Sequence, residues 1–229
     1  MSKLTAMTSP RGLVAASLLG LLLAGPSSLE ARQREVAPKD GDLLVYYCQN
    51  LALVTVRVLP KRVEVITPSR RIMLAETTQP SLARFTDGSV TLSELGELVR
   101  LEEPGAVSWC RIDPVEVPWQ DARLRGIDFR AAGDPAWSLE IDNGVAMEFA
   151  AGQGAGRVVT KFPPAELSGK DTRMTLTAMS GSHTLGVIAE RRICHHAGST
   201  MTLSVTVTLD GRAYTGCGRL LAAESPLPK

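Results

Sequence analysis

The residues of this chain with the most distinctive chemistry are four cysteines and three histidines. Cys194, His195 and His196 stand side by side, and thiolate and imidazole are both zinc ligands. No partner set lies at metal-ligand spacing from them, so we expect neither a metal site nor a cofactor.

Disulfide formation is the other chemistry open to cysteines. Three pairings are possible among Cys48, Cys110, Cys194 and Cys217.

Motifs for enzymatic catalysis are missing from the sequence. A serine hydrolase of the strand-turn-helix type carries its nucleophile in G-x-S-x-G, and the sequence has no such motif. The segment 180–183, Ser-Gly-Ser-His, is turn-like and has no neighbouring group that would activate a hydroxyl. Nucleotide-binding motifs are missing as well, and the glycine-rich segment 152–156 is typical of a loop. We therefore expect that the protein is not an enzyme.

Charge argues against one class of partner. The 229 residues include 25 lysines and arginines and 24 aspartates and glutamates, so the formal charge is +1. Nucleic-acid-binding proteins carry basic patches and a high pI. We therefore expect no nucleic-acid partner.

The N-terminus has the order of a secretory signal peptide. Lys3 and Arg11 precede an apolar run over residues 13–24, and small and polar residues follow it. A bilayer span needs about 20 residues, so this run is too short, although an uncleaved anchor is the alternative. No cysteine follows the run to carry a lipid. We expect a signal peptide over 1–31, a periplasmic or secreted protein without a membrane span after cleavage, and an oxidising surrounding in which disulfides persist.

A proline-rich segment divides the rest of the chain into two blocks. Residues 113–120, Asp-Pro-Val-Glu-Val-Pro-Trp-Gln, favour an extended conformation because each proline biases its predecessor away from helix. We expect a linker over 112–126 between blocks at 43–111 and 127–223. Sequential cysteine pairing would give each block one disulfide, whereas the other two pairings would join the blocks.

Alternation of apolar and polar residues is the main structural signal in both blocks. In the first block it marks strands at 53–58, 62–65 and 98–101. Asp87-Gly88 predicts a two-residue hairpin between 84–86 and 89–92. The second block has strand-like segments at 136–141, 145–149, 157–162, 173–178, 185–191, 201–209 and 213–214. No window favours an amphipathic helix. The sequence predicts an all-β protein with two small antiparallel β-barrel or sandwich domains in tandem after the signal peptide.

The first block resembles a known family in the order of its motifs. It reads YYCQN at 46–50, PSLARFTDG at 80–88, SELGE at 93–97 and SWC at 108–110. This order is similar to that of the C-type lysozyme inhibitors of Gram-negative envelopes, the MliC/PliC group, over residues 43–111. The resemblance implies a small antiparallel β-barrel closed by a Cys48–Cys110 disulfide. It also implies binding to a C-type lysozyme through a loop inserted into the substrate cleft.

The resemblance assigns the lysozyme contact to two loops. Ser81 falls on the family's serine, and Leu82 and Arg84 follow it in the same motif. Leu95 falls on the position where the family has a lysine, so the family's cation is missing here. Eight basic and seven acidic residues lie between 43 and 111, so we expect no electrostatic steering towards a basic lysozyme.

The second block resembles an uncharacterised bacterial envelope domain. The likeness lies in FRAAGDPAWSLEI at 129–141 and in the cysteine-framed segment 194–218. It implies a β-rich fold and an envelope location, and no chemistry. We expect Trp137 to be a core residue.

The sequence thus predicts an exported protein that binds lysozyme through the Ser81 loop and blocks its active-site cleft. The alternative is a non-inhibitory envelope module that binds a small ligand or a partner protein.

Overall fold

Two antiparallel sheets account for nearly all of the described structure. The computed structural model describes residues 38–50, 52–77, 83–93, 95–165, 168–170 and 172–221. The expected signal peptide at 1–31 lies outside the described residues. Within them, a closed barrel is followed by an open, curled sheet and one α-helix. The expected all-β fold class is therefore confirmed.

The first sheet is a closed eight-stranded barrel. Its strands are β1 Leu43–Cys48, β2 Leu53–Leu59, β3 Arg62–Ile66, β4 Arg71–Glu76, β5 Arg84–Thr86, β6 Thr91–Ser93, β7 Leu98–Glu103 and β8 Ala106–Ile112. Each strand pairs antiparallel with the next, and β8 returns to pair with β1. Buried side chains from all of the strands fill the interior, as the period-two pattern predicts.

The second sheet has nine strands in the order β12-β11-β10-β9-β17-β16-β15-β14-β13. They are β9 Phe129–Gly133, β10 Trp137–Asp142, β11 Ala146–Ala151, β12 Val158–Phe162, β13 Ser168–Lys170, β14 Arg173–Ser180, β15 His183–His196, β16 Ser199–Leu209 and β17 Arg212–Leu220. Strands β12 and β14 touch although six strands separate them in the sheet order. The sheet therefore curls into a half-barrel around its own core.

Aromatic side chains form the centre of the half-barrel core. Trp137 is 4% exposed and lies 6.0 Å, centroid to centroid, from Phe149. Phe149 meets Tyr214 edge-on at 5.0 Å. Such geometries are those that aromatic pairs prefer. The expectation that Trp137 is a core residue is confirmed.

The expectation of an extended linker is wrong over part of its length. Residues Val117–Leu124 form α1, an eight-residue helix, within the segment 113–126. Pro118 lies in the first turn, where a backbone N–H has no helical partner and proline therefore costs nothing. Trp119 and Ala122 are buried on one side of the helix. Packing against the second sheet therefore stabilises a helix that is too short to persist alone.

The Trp119 indole ring of α1 contacts two guanidinium groups. The Cζ atoms of Arg130 and Arg219 lie 5.5 Å and 5.3 Å from the Trp119 ring. Glu116 accepts two hydrogen bonds of 2.9 Å from Arg219, and Glu140 pairs with Arg130. Burial lowers the pKa of the Arg130 guanidinium below its usual value, because desolvation disfavours the charged form, while Glu140 opposes this effect.

Both disulfides join the sequential partners. Cys48 and Cys110 face each other across the β1–β8 ladder, and Cys194 is joined to Cys217. The second bridge links β15 to β17, which flank β16 and would lie about 10 Å apart in a flat sheet. The Cα atoms are only 5.6 Å apart. The end of the β15–β16 hairpin therefore folds over the outer face of the sheet, the face that points away from the half-barrel core. The fold follows a register shift between Arg191 and Cys194.

Replacing the buried tryptophan of α1 tests this packing. We expect Trp119→Ala to lower the free energy of unfolding by about 3–5 kcal/mol, because it removes a ring that fills a buried site. Urea denaturation followed by circular dichroism measures the change. Trp109→Ala is the matched control, since Trp109 is 38% exposed on the barrel surface and its loss should cost clearly less. Equal losses for the two variants would contradict the account.

Candidate functional site

Antiparallel pairing sorts the barrel loops into two groups. Successive strands run in opposite directions, so the β4–β5 and β6–β7 loops emerge at one end, here called the loop end. The β3–β4 and β5–β6 turns emerge at the opposite end. The two segments to which the resemblance assigns lysozyme binding, around 81 and around 95, are therefore connections between strands at the loop end.

The base of the β4–β5 loop is well defined by hydrogen bonds. Ser81 and Leu82 themselves lie outside the described residues. The Thr77 backbone N–H donates to the Arg84 carbonyl over 2.8 Å, and the Thr77 hydroxyl donates to the same oxygen over 3.2 Å. Glu76 and Phe85 pair next to this contact. The loop thus begins and ends at adjacent strand positions.

Arg84 is the cationic side chain at the base of this loop. It is half-buried at the first position of β5, opposite Ser93. Within the described part of the chain, its guanidinium forms no ion pair and donates no side-chain hydrogen bond. By contrast, Arg57, Arg70, Arg71 and Arg100 on the same barrel all pair with glutamates.

Leu95 packs inward from the β6–β7 loop. It is half-buried and contacts the barrel core. The hydroxyl of Tyr46, a buried side chain, donates to the Gly96 carbonyl over 3.1 Å. The Ile112 backbone N–H donates to the Glu97 carbonyl over 2.8 Å. The loop is therefore held against the barrel, and its apolar residue is part of the barrel packing.

The contact from Tyr46 is a positioning interaction that our reading of the sequence missed. Tyr46 is 0% exposed, and it lies two residues before Cys48 in the Y-x-C motif at 46–48. The motif itself was the available signal, since a buried tyrosine requires a partner for its hydroxyl. In the structure that partner is the backbone of the β6–β7 loop.

The turn at the opposite end differs from the predicted two-residue hairpin. Four residues, Asp87–Val90, separate β5 from β6. The Asp87 carboxylate accepts hydrogen bonds from the Ser89 N–H at 2.8 Å, the Ser89 hydroxyl at 3.0 Å and the Val90 N–H at 2.7 Å. A side chain that can cap three donors in this way favours a longer turn, in which Val90 reaches the core.

Histidines and acids in the described residues are dispersed. His183 contacts Asp210 at 2.6 Å, His195 contacts Thr200 at 3.1 Å, and His196 lies 4.0 Å from Asp134. The described residues contain no group of three histidines, cysteines, aspartates or glutamates arranged to hold a metal ion. Nor do they include a helix with the length and apolar character required to cross a bilayer.

Comparison with known proteins adds no relative to this description. No family model, no curated protein and no solved structure matches the chain.

The Asp87 turn gives a pH-dependent prediction. Hydrogen bonds from the Val90 and Ser89 backbone, followed by that from the Ser89 hydroxyl, lower the Asp87 pKa below its usual value. A lowered folded-state pKa stabilises the fold above the unfolded-state pKa of about 3.9, and this contribution is lost as the pH falls through the folded value. We expect the Asp87 carboxyl to titrate below about 3.9 by carbon-13 NMR.

Ser89→Ala supplies the control for this titration. It removes the hydroxyl donor and should move the Asp87 midpoint upwards, while leaving the two backbone donors in place. An Asp87 midpoint at or above about 3.9 in the unaltered protein would show that the turn does not hold the carboxylate as described.

Proposed function

We propose that the first barrel binds a C-type lysozyme at the loop end and blocks its substrate cleft. The observation that carries the proposal is the common location of the β4–β5 and β6–β7 loops, because the resemblance assigns binding residues to both of them. A closed barrel with a Cys48–Cys110 bridge is also the scaffold that the resemblance implies. The shared loop end and the bridged barrel support the proposal through the fold and the sequence motifs.

The chemistry of the target explains the choice of a serine. C-type lysozymes cleave between two carboxyl groups, one kept protonated by an apolar pocket and the other ionised. A hydroxyl both donates and accepts hydrogen bonds, so the Ser81 side chain can donate to the ionised carboxylate and accept from the protonated acid. A loop that inserts this hydroxyl satisfies both groups and excludes the substrate.

Arg84 supplies the positive charge in this proposal. The family's lysine is replaced by Leu95, which is occupied in packing against the barrel. Arg84 lies at the base of the Ser81 loop, and no described carboxylate pairs with its guanidinium. A guanidinium presents five donors and remains charged at any relevant pH. It can therefore pair with an acidic group at the rim of the lysozyme cleft.

Location and charge shape how such a complex would form. We propose export to the periplasm or beyond, with cleavage of the expected signal peptide, and the two disulfides are compatible with an oxidising compartment.

The near-neutral first block, with eight basic and seven acidic residues, offers little long-range attraction. We therefore expect binding to depend on contacts in the cleft and the association rate to change little with salt.

A lysozyme titration tests the proposal. Purified full-length protein is added to a hen-type lysozyme acting on cell-wall substrate, and the rate of clearing is measured. We expect saturable inhibition that follows formation of a one-to-one complex. Full lysozyme activity at micromolar excess of the protein would refute inhibition.

A pair of serine variants locates the inhibitory end. Ser81→Ala should weaken inhibition by about tenfold or more, because it removes hydrogen bonds to carboxyl groups. Ser69→Ala is the matched control, since Ser69 is exposed in the β3–β4 turn at the opposite end. If Ser81→Ala inhibits as strongly as Ser69→Ala, with unchanged melting temperatures, the Ser81 loop is excluded as the binding element.

The packing of Leu95 favours the alternative, a non-inhibitory binding module, because the second loop offers no cation. Leu95→Lys separates the two readings. An inhibitor that has lost its lysine should gain affinity for lysozyme with this substitution, whereas a module that binds something else should stay inactive towards lysozyme.

A further inference from the structure

A cleft lies at one end of the curled second sheet, far in sequence from the inhibitor-like loops. Its volume is about 690 Å³, within the usual range of roughly 300–1,000 Å³ for small-molecule sites. The cleft is bounded by the β9–β10 turn, the β11–β12 loop and the strands next to the β16–β17 turn. Antiparallel alternation places these three connections at the same end of the sheet.

Apolar side chains form part of the cleft lining, beside polar ones such as Gln153 and Thr160. Phe149 and Tyr214, the edge-to-face pair of the half-barrel core, form part of its lining. Val158, on the edge strand β12, is 66% exposed and lines the cleft as well. Phe149 and Tyr214 are already buried, so an apolar body of a ligand would mainly cover Val158 and remove its surface from water, which is favourable.

Tyr214 brings a polar group to the lining of this cleft. Its side chain is only 8% exposed. Among the described residues, nothing forms a hydrogen bond with its hydroxyl, and the hydroxyl is not a fully enclosed atom. Buried tyrosine hydroxyls normally have a partner, so this one is a donor available to a molecule in the cleft.

Arg212 adds a positive charge beside the Tyr214 ring. Its guanidinium carbon lies 5.1 Å from the centre of the Tyr214 ring. No carboxylate in the described part of the chain pairs with it. By contrast, Arg130 and Arg219 on the same sheet are neutralised by glutamates. The described lining therefore combines an unpaired cation with neutral donors, Tyr214 among them, beside the apolar Val158.

Among the described residues that line the cleft, Asp134 is the one acid, and it lies at the rim. Its side chain is 92% exposed, and its carboxylate is 4.0 Å from His196. Repulsion between a well-solvated carboxylate and a bound anion is weak, because water and salt screen it. The preference of the cleft for an anionic ligand is thus set by Arg212 and Tyr214.

We propose that this cleft is a binding site for a small organic carboxylate with an apolar or aromatic body. The carboxylate pairs with the Arg212 guanidinium and accepts a hydrogen bond from the Tyr214 hydroxyl, and the apolar body lies against the exposed Val158 side chain. This site is independent of the barrel and of its proposed function. It gives the second sheet a ligand-binding role.

A carboxylate and its neutral analogue test the proposal on the full chain. Titration with 2-naphthoate, followed by isothermal calorimetry and protein NMR, should give saturable one-site binding with shifts at cleft residues. The neutral 2-naphthamide, which has the same ring system, should bind tenfold or more weakly, because it lacks the charge that Arg212 recognises. Absence of saturation with 2-naphthoate, or equal affinity for the two molecules, would overturn the proposal.

Variants identify the groups responsible. Arg212→Gln should weaken naphthoate binding tenfold or more and abolish the preference over the amide, whereas Arg212→Lys should retain the preference. Tyr214→Phe should weaken binding while keeping the ring. Arg173→Gln is the matched control, because Arg173 is an exposed arginine of the same sheet outside the cleft. Unchanged binding by Arg212→Gln with an unchanged circular dichroism spectrum would also overturn the assignment.

Discussion

Closure of the first barrel through the β1–β8 ladder is the constraint on which the proposed lysozyme site depends. Tyr46 pairs with Ile112 and Cys48 with Cys110, so the first and last strands meet although 62 residues separate the two cysteines. In the chain-entropy model a bridge across a loop of this length contributes about 4 kcal/mol. Antiparallel alternation decides which loops share an end, and closure holds the strands that carry those loops in one barrel. Closure also brings Tyr46 of the first strand to the backbone of the β6–β7 loop.

The second sheet uses its two faces differently. Its inner face curls around Trp137, Phe149 and Tyr214 and leaves a cleft at one end. Its outer face is covered by α1 and by the folded end of the β15–β16 hairpin, where Trp119, Met201 and Cys217 form a separate cluster. The cleft at the end of the inner face has Tyr214 in its lining.

The sequence predicted the parts of the fold that depend on local alternation. Strands β2, β3, β7 and β16 follow it closely, since one face of each strand packs into a core. Local pattern could not distinguish a closed barrel from a sandwich, because closure depends on pairing between β1 and β8. It also missed α1, whose stability comes from packing of Trp119 against residues far along the chain, such as Met201 and Arg219.

The candidate sites were predictable to different degrees. The loops proposed to bind lysozyme could be assigned through motifs at 80–88 and 93–97, which lie close together in sequence. The cleft could not, because Val158 and Arg212 come together only when the nine-stranded sheet curls. The inward packing of Leu95 likewise depends on the barrel interior that it contacts.

Hydrogen–deuterium exchange of the protein with and without a C-type lysozyme tests the central claim most directly. The account predicts that lysozyme protects the backbone amides of residues 77–84 and 95–97 and leaves the Asp87–Val90 turn at the opposite end unchanged. Protection confined to that turn or to the second sheet, or no protection at saturating lysozyme, would contradict it.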